Sequence, residues 1–185
     1  MAAQPTIKTL QNARKFVKRE KMCTLFSGSA PGIASLWDNV DLPLEGGGNT
    51  RWGARVEAVW RWKNELPEKY PDEIFYGKIK GGLAALMTIS HLRDDYYAAA
   101  HKPIGECSEL AQAVYDVIRR TPGTTAQLRK CAIAELGCTK SRFETALKQL
   151  QVTLNVARLN TPHTTNDTWV PMREMYLDIV EAHEA

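Results

Sequence analysis

TTAQLRKCAIAELGCTKSRFETALKQL, residues 124–150, reads as two amphipathic helices joined by a tight turn. Thr124 or Thr125 caps the first, and Leu128, Ala132, Ile133 and Leu136 are its inward residues at helical spacing. Gly137 predicts a stop in the left-handed conformation that glycine adopts without a Cβ penalty. Cys138 and Thr139 complete the turn, and Thr139 caps a helix from Lys140 to Leu150 that turns Phe143, Ala146, Leu147 and Leu150 inward. Upstream, Ser108 caps a helix to Arg120 with Leu110, Val114, Val117 and Ile118 on one stripe, and Thr121-Pro122-Gly123 breaks it. Downstream, Val152 to Leu159 alternates as a strand, a polar turn covers 160–166, and Thr168 to Pro171 returns as its hairpin partner. A closing helix is expected over Met172–Ala182. Helix, helix, tight turn, helix, strand, loop, strand is the order of a winged helix-turn-helix.

Outward toward the N-terminus, Thr6 is placed to cap a helix reaching about Lys21, with Ile7, Leu10, Ala13, Phe16 and Val17 on one face. Cys23 to Phe26 reads as a short strand, 27–32 as a loop, Ile33 to Val40 as a helical turn, and Pro43 to Thr50, with its three glycines, as a second loop. Arg51 to Leu66 reads as a helix with Val56, Val59 and Trp60 inward, extended by Trp52 and Trp62 and ended by Pro67 and Pro71. Ile74–Ile79 and Leu83–Ile89 read as strands joined through Lys80-Gly81-Gly82, a hairpin signal. Leu92–Ala100 reads as helical, and Lys102-Pro103-Ile104-Gly105 as a boundary. The expected class is α+β: a C-terminal winged helix-turn-helix with its closing helix (105–185), packed against an N-terminal helix-plus-β-hairpin region (1–104).

Of the 185 residues, 44% are hydrophobic and 24% charged, enough apolar material for a core and too much for wholesale disorder. No apolar run approaches the ~20 residues that span a bilayer, and the charged N-terminal stretch lacks the apolar core of a signal peptide, so the expected location is cytoplasmic. Cys23, Cys107, Cys131 and Cys138 form no C-x-x-C pair, which points to reduced thiols. Net charge is only +3, but it is unevenly spread. Residues 108–159 hold eight basic and four acidic side chains, the remainder 16 and 17, so the positive excess sits in one block, as a polyanion footprint requires.

With the apolar stripe inward, the third helix keeps Thr139, Lys140, Ser141, Arg142, Thr145, Lys148 and Gln149 for its outer faces. Hydroxyls suit phosphates, cations suit phosphates or guanine, and an amide suits adenine. Arg129 and Lys130 on the bracing helix and Arg158 beside the wing loop are expected phosphate contacts. Double-stranded DNA is the expected partner. The same polar face, with Lys140, Glu144 and Lys148 at i,i+4, also fits an assembly module that meets another protein. The sequence does not fix an oligomeric state.

Four stretches carry a family resemblance: Thr9-Leu-Gln-Asn-Ala-Arg14, Glu57-Ala-Val-Trp-Arg-Trp62, Ile74-Phe-Tyr-Gly-Lys78 and Ser141-Arg-Phe-Glu-Thr-Ala-Leu-Lys-Gln-Leu-Gln151. In these the chain resembles the AlkZ-related proteins, short relatives of the AlkZ/YcaQ winged-helix DNA glycosylases. The resemblance implies winged-helix architecture, DNA as partner, a link to DNA damage or repair, and base excision as an alternative activity. It also implies a catalytic Gln-x-Gln or Gln-x-Asp soon after the first helix, where this chain has Cys23-Thr-Leu-Phe-Ser27. A literal Gln149-Leu-Gln151 falls at the end of the third helix, with Leu150 inward, and reads as structural or as a DNA contact. No catalytic residue carries over.

A small DNA glycosylase acting on modified bases would need a stacking surface and a group to position water. Trp37, Trp52, Trp60 and Trp62 lie near Asp38, Asp41 and Glu57, which makes Asp38 and Glu57 the candidate carboxylates. Core packing of the tryptophans and surface pairing of the acids are the competing readings. No phosphate loop or nucleophile elbow is present. His91, His101, His163 and His183 are scattered, so no metal site and no cofactor are expected.

Overall fold

In the computed structural model the described residues are 7–26, 30–44, 53–160 and 166–184. The elements are α1 (Leu10–Glu20), β1 (Met22–Thr24), α2 (Leu36–Asn39), α3 (Ala54–Lys69), β2 (Ile74–Ile79), β3 (Leu83–Thr88), α4 (Ile89–His91), a π-turn (Leu92–Tyr96), α5 (Tyr97–Ala100), a 3-10 turn (Ile104–Glu106), α6 (Glu109–Arg120), β4 (Gly123–Thr124), α7 (Thr125–Leu136), α8 (Lys140–Val152), β5 (Val156–Arg158), β6 (Thr168–Pro171), α9 (Met172–Met175) and α10 (Leu177–Glu184). The class is α+β. The chain forms two compact units: residues 1–76 with 83–92, and 77–82 with 93–185.

The first unit is built on α1 and α3 around a sheet of order β1-β3-β2, with Cys23 opposite Leu86 in the antiparallel β1–β3 pair. Its core holds Phe16, Val17, Leu36, Trp62, Leu66 and Leu86. Thr9, not Thr6, caps α1: its Oγ1 accepts from the Asn12 N–H at 3.2 Å, while Thr6 lies outside the described residues. Ile7 stands before the helix, buried, with its N–H donating to the Asn39 carbonyl at 2.9 Å. The hairpin forms as expected. Gly81 and Gly82 take φ of 86° and 79°, and the Gly82 N–H donates to the Ile79 carbonyl at 2.8 Å.

Two expectations for this region are corrected. Pro67 lies inside α3. A proline one turn from the end costs a single backbone donor, and beyond it the Tyr70 N–H still reaches the Leu66 carbonyl at 3.0 Å. Pro71 then follows the last turn. Trp60 is 39% exposed, whereas Trp62 is almost wholly buried, so the aromatic that anchors α3 is the latter. Residues 92–100 are helical as expected, a π-helical turn over Leu92–Tyr96 running into one turn of α-helix over Tyr97–Ala100.

In the second unit, α6, α7 and α8 enclose a core of Val114, Ile118, Leu128, Phe143, Leu147 and Leu150. A sheet of order β4-β6-β5 follows, antiparallel throughout, with Gly123 opposite Trp169 and Arg158 opposite Trp169 on the other side. The strand expected over 152–159 is only Val156–Arg158. Thr153 keeps its N–H on the Gln149 carbonyl at 2.9 Å, its hydroxyl donates to the same oxygen at 2.8 Å, and Leu154 turns the chain at φ 54°. The hydroxyl thus prolongs the helix end that the alternating pattern conceals. Ile133 is exposed while Leu128 and Ala132 are buried and Leu136 packs against the same core, because the row at i, i+4 and i+8 faces inward and Ile133 lies off it. The closing helix is broken at Tyr176.

Phe143, fully enclosed, is the largest side chain α8 contributes to this core. Phe143→Ala should lower unfolding free energy by about 3–5 kcal/mol, read from denaturant midpoints. In the first unit the Arg14 guanidinium and the Lys18 ammonium, the latter at 3.1 Å, hold the Glu73 carboxyl below its ordinary value of 4.5. A depressed carboxyl stabilises the fold above its unfolded pKa and loses that contribution as pH falls through the folded value. The stability gap between wild type and Glu73→Gln should therefore be open at pH 7 and close below about 4.5. Because Glu73 is partly exposed, added salt should narrow the gap as well.

Candidate nucleic-acid interface

The turn between α7 and α8 is fixed by short-range chemistry. Thr124 and Gln127 form a capping box at the start of α7: the Gln127 N–H donates to Thr124 Oγ1 at 3.3 Å, and the Thr124 N–H donates to Gln127 Oε1 at 2.9 Å. Gly137 ends the helix at φ 62°, and Thr139 Oγ1 accepts from the Arg142 N–H at 3.3 Å to start α8. Trp169 Nε1 donates to Thr125 Oγ1 at 2.8 Å, tying β6 to the start of α7.

These constraints set the rotation of α8. Phe143, Ala146, Leu147 and Leu150 are buried, and Thr139, Lys140, Ser141, Arg142, Thr145 and Lys148 are exposed. Lys130 is exposed on α7 and Arg129 half-buried. Ser141, Arg142 and Thr145 line one wall of an open groove of about 520 Å³, and Ser108, Glu109 and Leu110 at the start of α6 line the other. The groove offers hydroxyls, one guanidinium and one carboxylate.

Two expected contacts are already engaged within the unit. Gln149 is half-buried and its Oε1 accepts from the Ser108 hydroxyl at 2.7 Å, while Gln151 is buried. Gln149-Leu-Gln151 is thus the packed end of a helix. Arg158 is 6% exposed, with its NH1 3.2 Å from Asp167 Oδ1, so the phosphate contact expected of it is corrected: its strand turns it inward onto a carboxylate. His163 lies outside the described residues, as do the glycines 46–48 and Trp52.

Asp38 and Glu57 are both exposed, on α2 and α3. Nearby in the same unit Phe26 bridges Trp37 and Trp60, ring centroids 5.7 and 5.6 Å apart, and the Arg55 guanidinium lies 5.4 Å from the Trp37 ring. Cys23 is buried, and burial pushes its thiol up to about 12, which leaves an inert thiol at that position. All four cysteines are free. Among the described residues no cluster of three metal-ligating side chains occurs, and no helix is long and apolar enough to cross a membrane.

The sequence profile of the AlkZ-related family matches residues 7–168. The chain belongs to the AlkZ-related family. The match runs from Ile7 through the first unit and through the second as far as Thr168, the whole of α8 included. No curated protein and no solved structure gives a match.

Sequence reasoning missed the tip of the β2–β3 hairpin. Residues 77–82 belong to the second unit, and Gly82 stands against the Lys148 side chain. The hairpin itself was legible, but the meeting of its Gly82 with Lys148 joins residues far apart in the chain and leaves no local signal.

Within the helical face, Glu144 lies 3.8 Å from Lys140 and 3.5 Å from Arg129. It competes with any external anion for both cations. Glu144→Gln should strengthen duplex binding about 2- to 5-fold, the worth of one exposed ion pair, as read by fluorescence anisotropy at low salt.

Proposed function

We propose that the second unit is a winged helix-turn-helix that binds double-stranded DNA, in a role connected with DNA damage or repair. The observation that carries the reading is the sidedness of α8: an apolar face wholly buried and an opposite face of Thr139, Lys140, Ser141, Arg142, Thr145 and Lys148 wholly exposed. The element order α6-β4-α7-α8-β5-β6, the left-handed Gly137 between α7 and α8, and the β4-β6-β5 sheet support the architecture. Family membership supports DNA as the partner. In this reading α8 is the helix presented to the major groove. Lys140, Arg142 and Lys148 contact phosphates or guanine, and Thr139, Ser141 and Thr145 give hydroxyl contacts. Lys130 and Arg129 on α7 add phosphate contacts, and Gln149 works from behind by holding the first turn of α6 through Ser108.

Binding of a labelled duplex, followed against salt, tests this. Four to six neutralised phosphates give a log–log slope of about −4 to −5. Replacing Lys140, Arg142 and Lys148 together by alanine should make the slope shallower by about 2.7 and weaken binding to every duplex tried. Equal affinity of wild type and the triple variant would overturn the assignment of this face. An absence of binding by wild type at ~50 mM salt would overturn DNA as the partner, since low salt is where the phosphate term is strongest.

A further inference from the structure

The tip of the β2–β3 hairpin belongs to the second unit, and there Gly82 touches an exposed side chain of α8. A Cβ built on Gly82 would lie 2.9 Å from Lys148 Cδ, 3.5 Å from its Cγ and 3.8 Å from its Cε. The aliphatic stem of Lys148 therefore lies across the space where a side chain at position 82 would begin. Gly82 also has φ 79°, and its N–H closes the turn onto the Ile79 carbonyl at 2.8 Å. Its neighbour Gly81 has nearly the same φ, 86°, yet a Cβ there would meet nothing within 4 Å. The two glycines share one conformational demand, and only Gly82 adds a packing demand. A hydrogen bond between the Lys80 backbone and the Tyr96 hydroxyl holds the turn in place.

Lys148 is exposed, and an exposed lysine has many rotamers to lose when its ammonium is fixed on a ligand. A stem that already lies against backbone has given up part of that freedom in the free protein. Elsewhere on this face the cations are held by an acid: Glu144 lies 3.8 Å from Lys140 and 3.5 Å from Arg129. Contact through methylenes orders Lys148 without neutralising it. We propose that Gly82 is a positioning residue for DNA binding: its missing side chain seats the Lys148 stem, so that the ammonium is held ready for one backbone phosphate. The inference rests on the DNA-binding reading of α8 and adds to it a contribution from outside the three helices.

Fluorescence anisotropy on one labelled duplex tests the seat. Lys148→Ala should weaken binding and make the salt slope shallower by about 0.9, the share of one phosphate. Gly82→Ala keeps the lysine but displaces its stem, and should weaken binding about 2- to 10-fold, the cost of ordering one long side chain. Gly81→Ala carries the same kind of left-handed strain without reaching Lys148, and should bind as wild type does. In a chain that already has Lys148→Ala, Gly82→Ala should have no further effect on binding, since nothing is left to seat. Equal losses from Gly81→Ala and Gly82→Ala would assign the effect to the turn and overturn the seat. An undiminished effect of Gly82→Ala in the Lys148→Ala chain would overturn it as well, and so would unchanged binding in Gly82→Ala. Thermal melts check that the variants fold. If Gly82→Ala does not fold, NMR of the wild type decides: the Overhauser contact between the Gly82 Hα and Lys148 Hδ protons should persist when duplex is added, and its loss on binding would overturn the seat. If Lys148→Ala binds as wild type does while Lys140→Ala weakens binding, the α8 face stands and the seat falls. A wild-type chain that binds no duplex overturns both.

Discussion

Phe143, Ala146, Leu147 and Leu150 have to be inside, and nearly everything about the second unit follows from that burial. A helix shows one face to its core, so fixing these four fixes where every other side chain of α8 points. Gly137 and Thr139 fix where α8 begins. The left-handed glycine and the threonine cap are local devices, and they agree with the global packing. The outward face inherits what the pattern leaves over: hydroxyls in the first turn, cations spread along the helix, and Glu144 among them. That acid lies within reach of both Lys140 and Arg129. It holds the cations in place in the free protein and would have to release them to an incoming phosphate.

The first unit offers a different chemistry. Its polar work is largely internal: Arg14 pairs with Glu73 while stacking 4.2 Å over the Tyr70 ring, and Lys63, itself buried, lies 5.0 Å from both the Trp60 and Tyr76 rings. The segment where the resemblance places a catalytic glutamine motif runs through β1, whose Cys23 is a buried, unreactive thiol. Asp38 and Glu57 stand exposed on α2 and α3.

What was legible in the sequence was what short-range physics decides. Ser108, Thr124 and Thr139 act as caps and Gly137 as the stop, each at its expected place, because a cap acts within four residues. The hairpin through Gly81 and Gly82 was legible for the same reason. What failed was decided elsewhere. VTLNVARL alternates like a strand, yet Thr153 bonds back to the Gln149 carbonyl and holds the first residues in helical register. Trp60 and Trp62 both suit the apolar side of α3 by composition, and only the packing around Leu36 and Leu66 selects Trp62. Pro67 reads locally as a terminator, but one lost donor is a small penalty beside the burial of Leu66 and of the proline itself.

The charge count shows how a sequence-level quantity can survive while its location moves. The basic block 108–159 includes Arg158, which is buried against Asp167, a residue outside that block. One of the eight counted cations is therefore absent from the surface, and the carboxylate that neutralises it was counted with the rest of the chain.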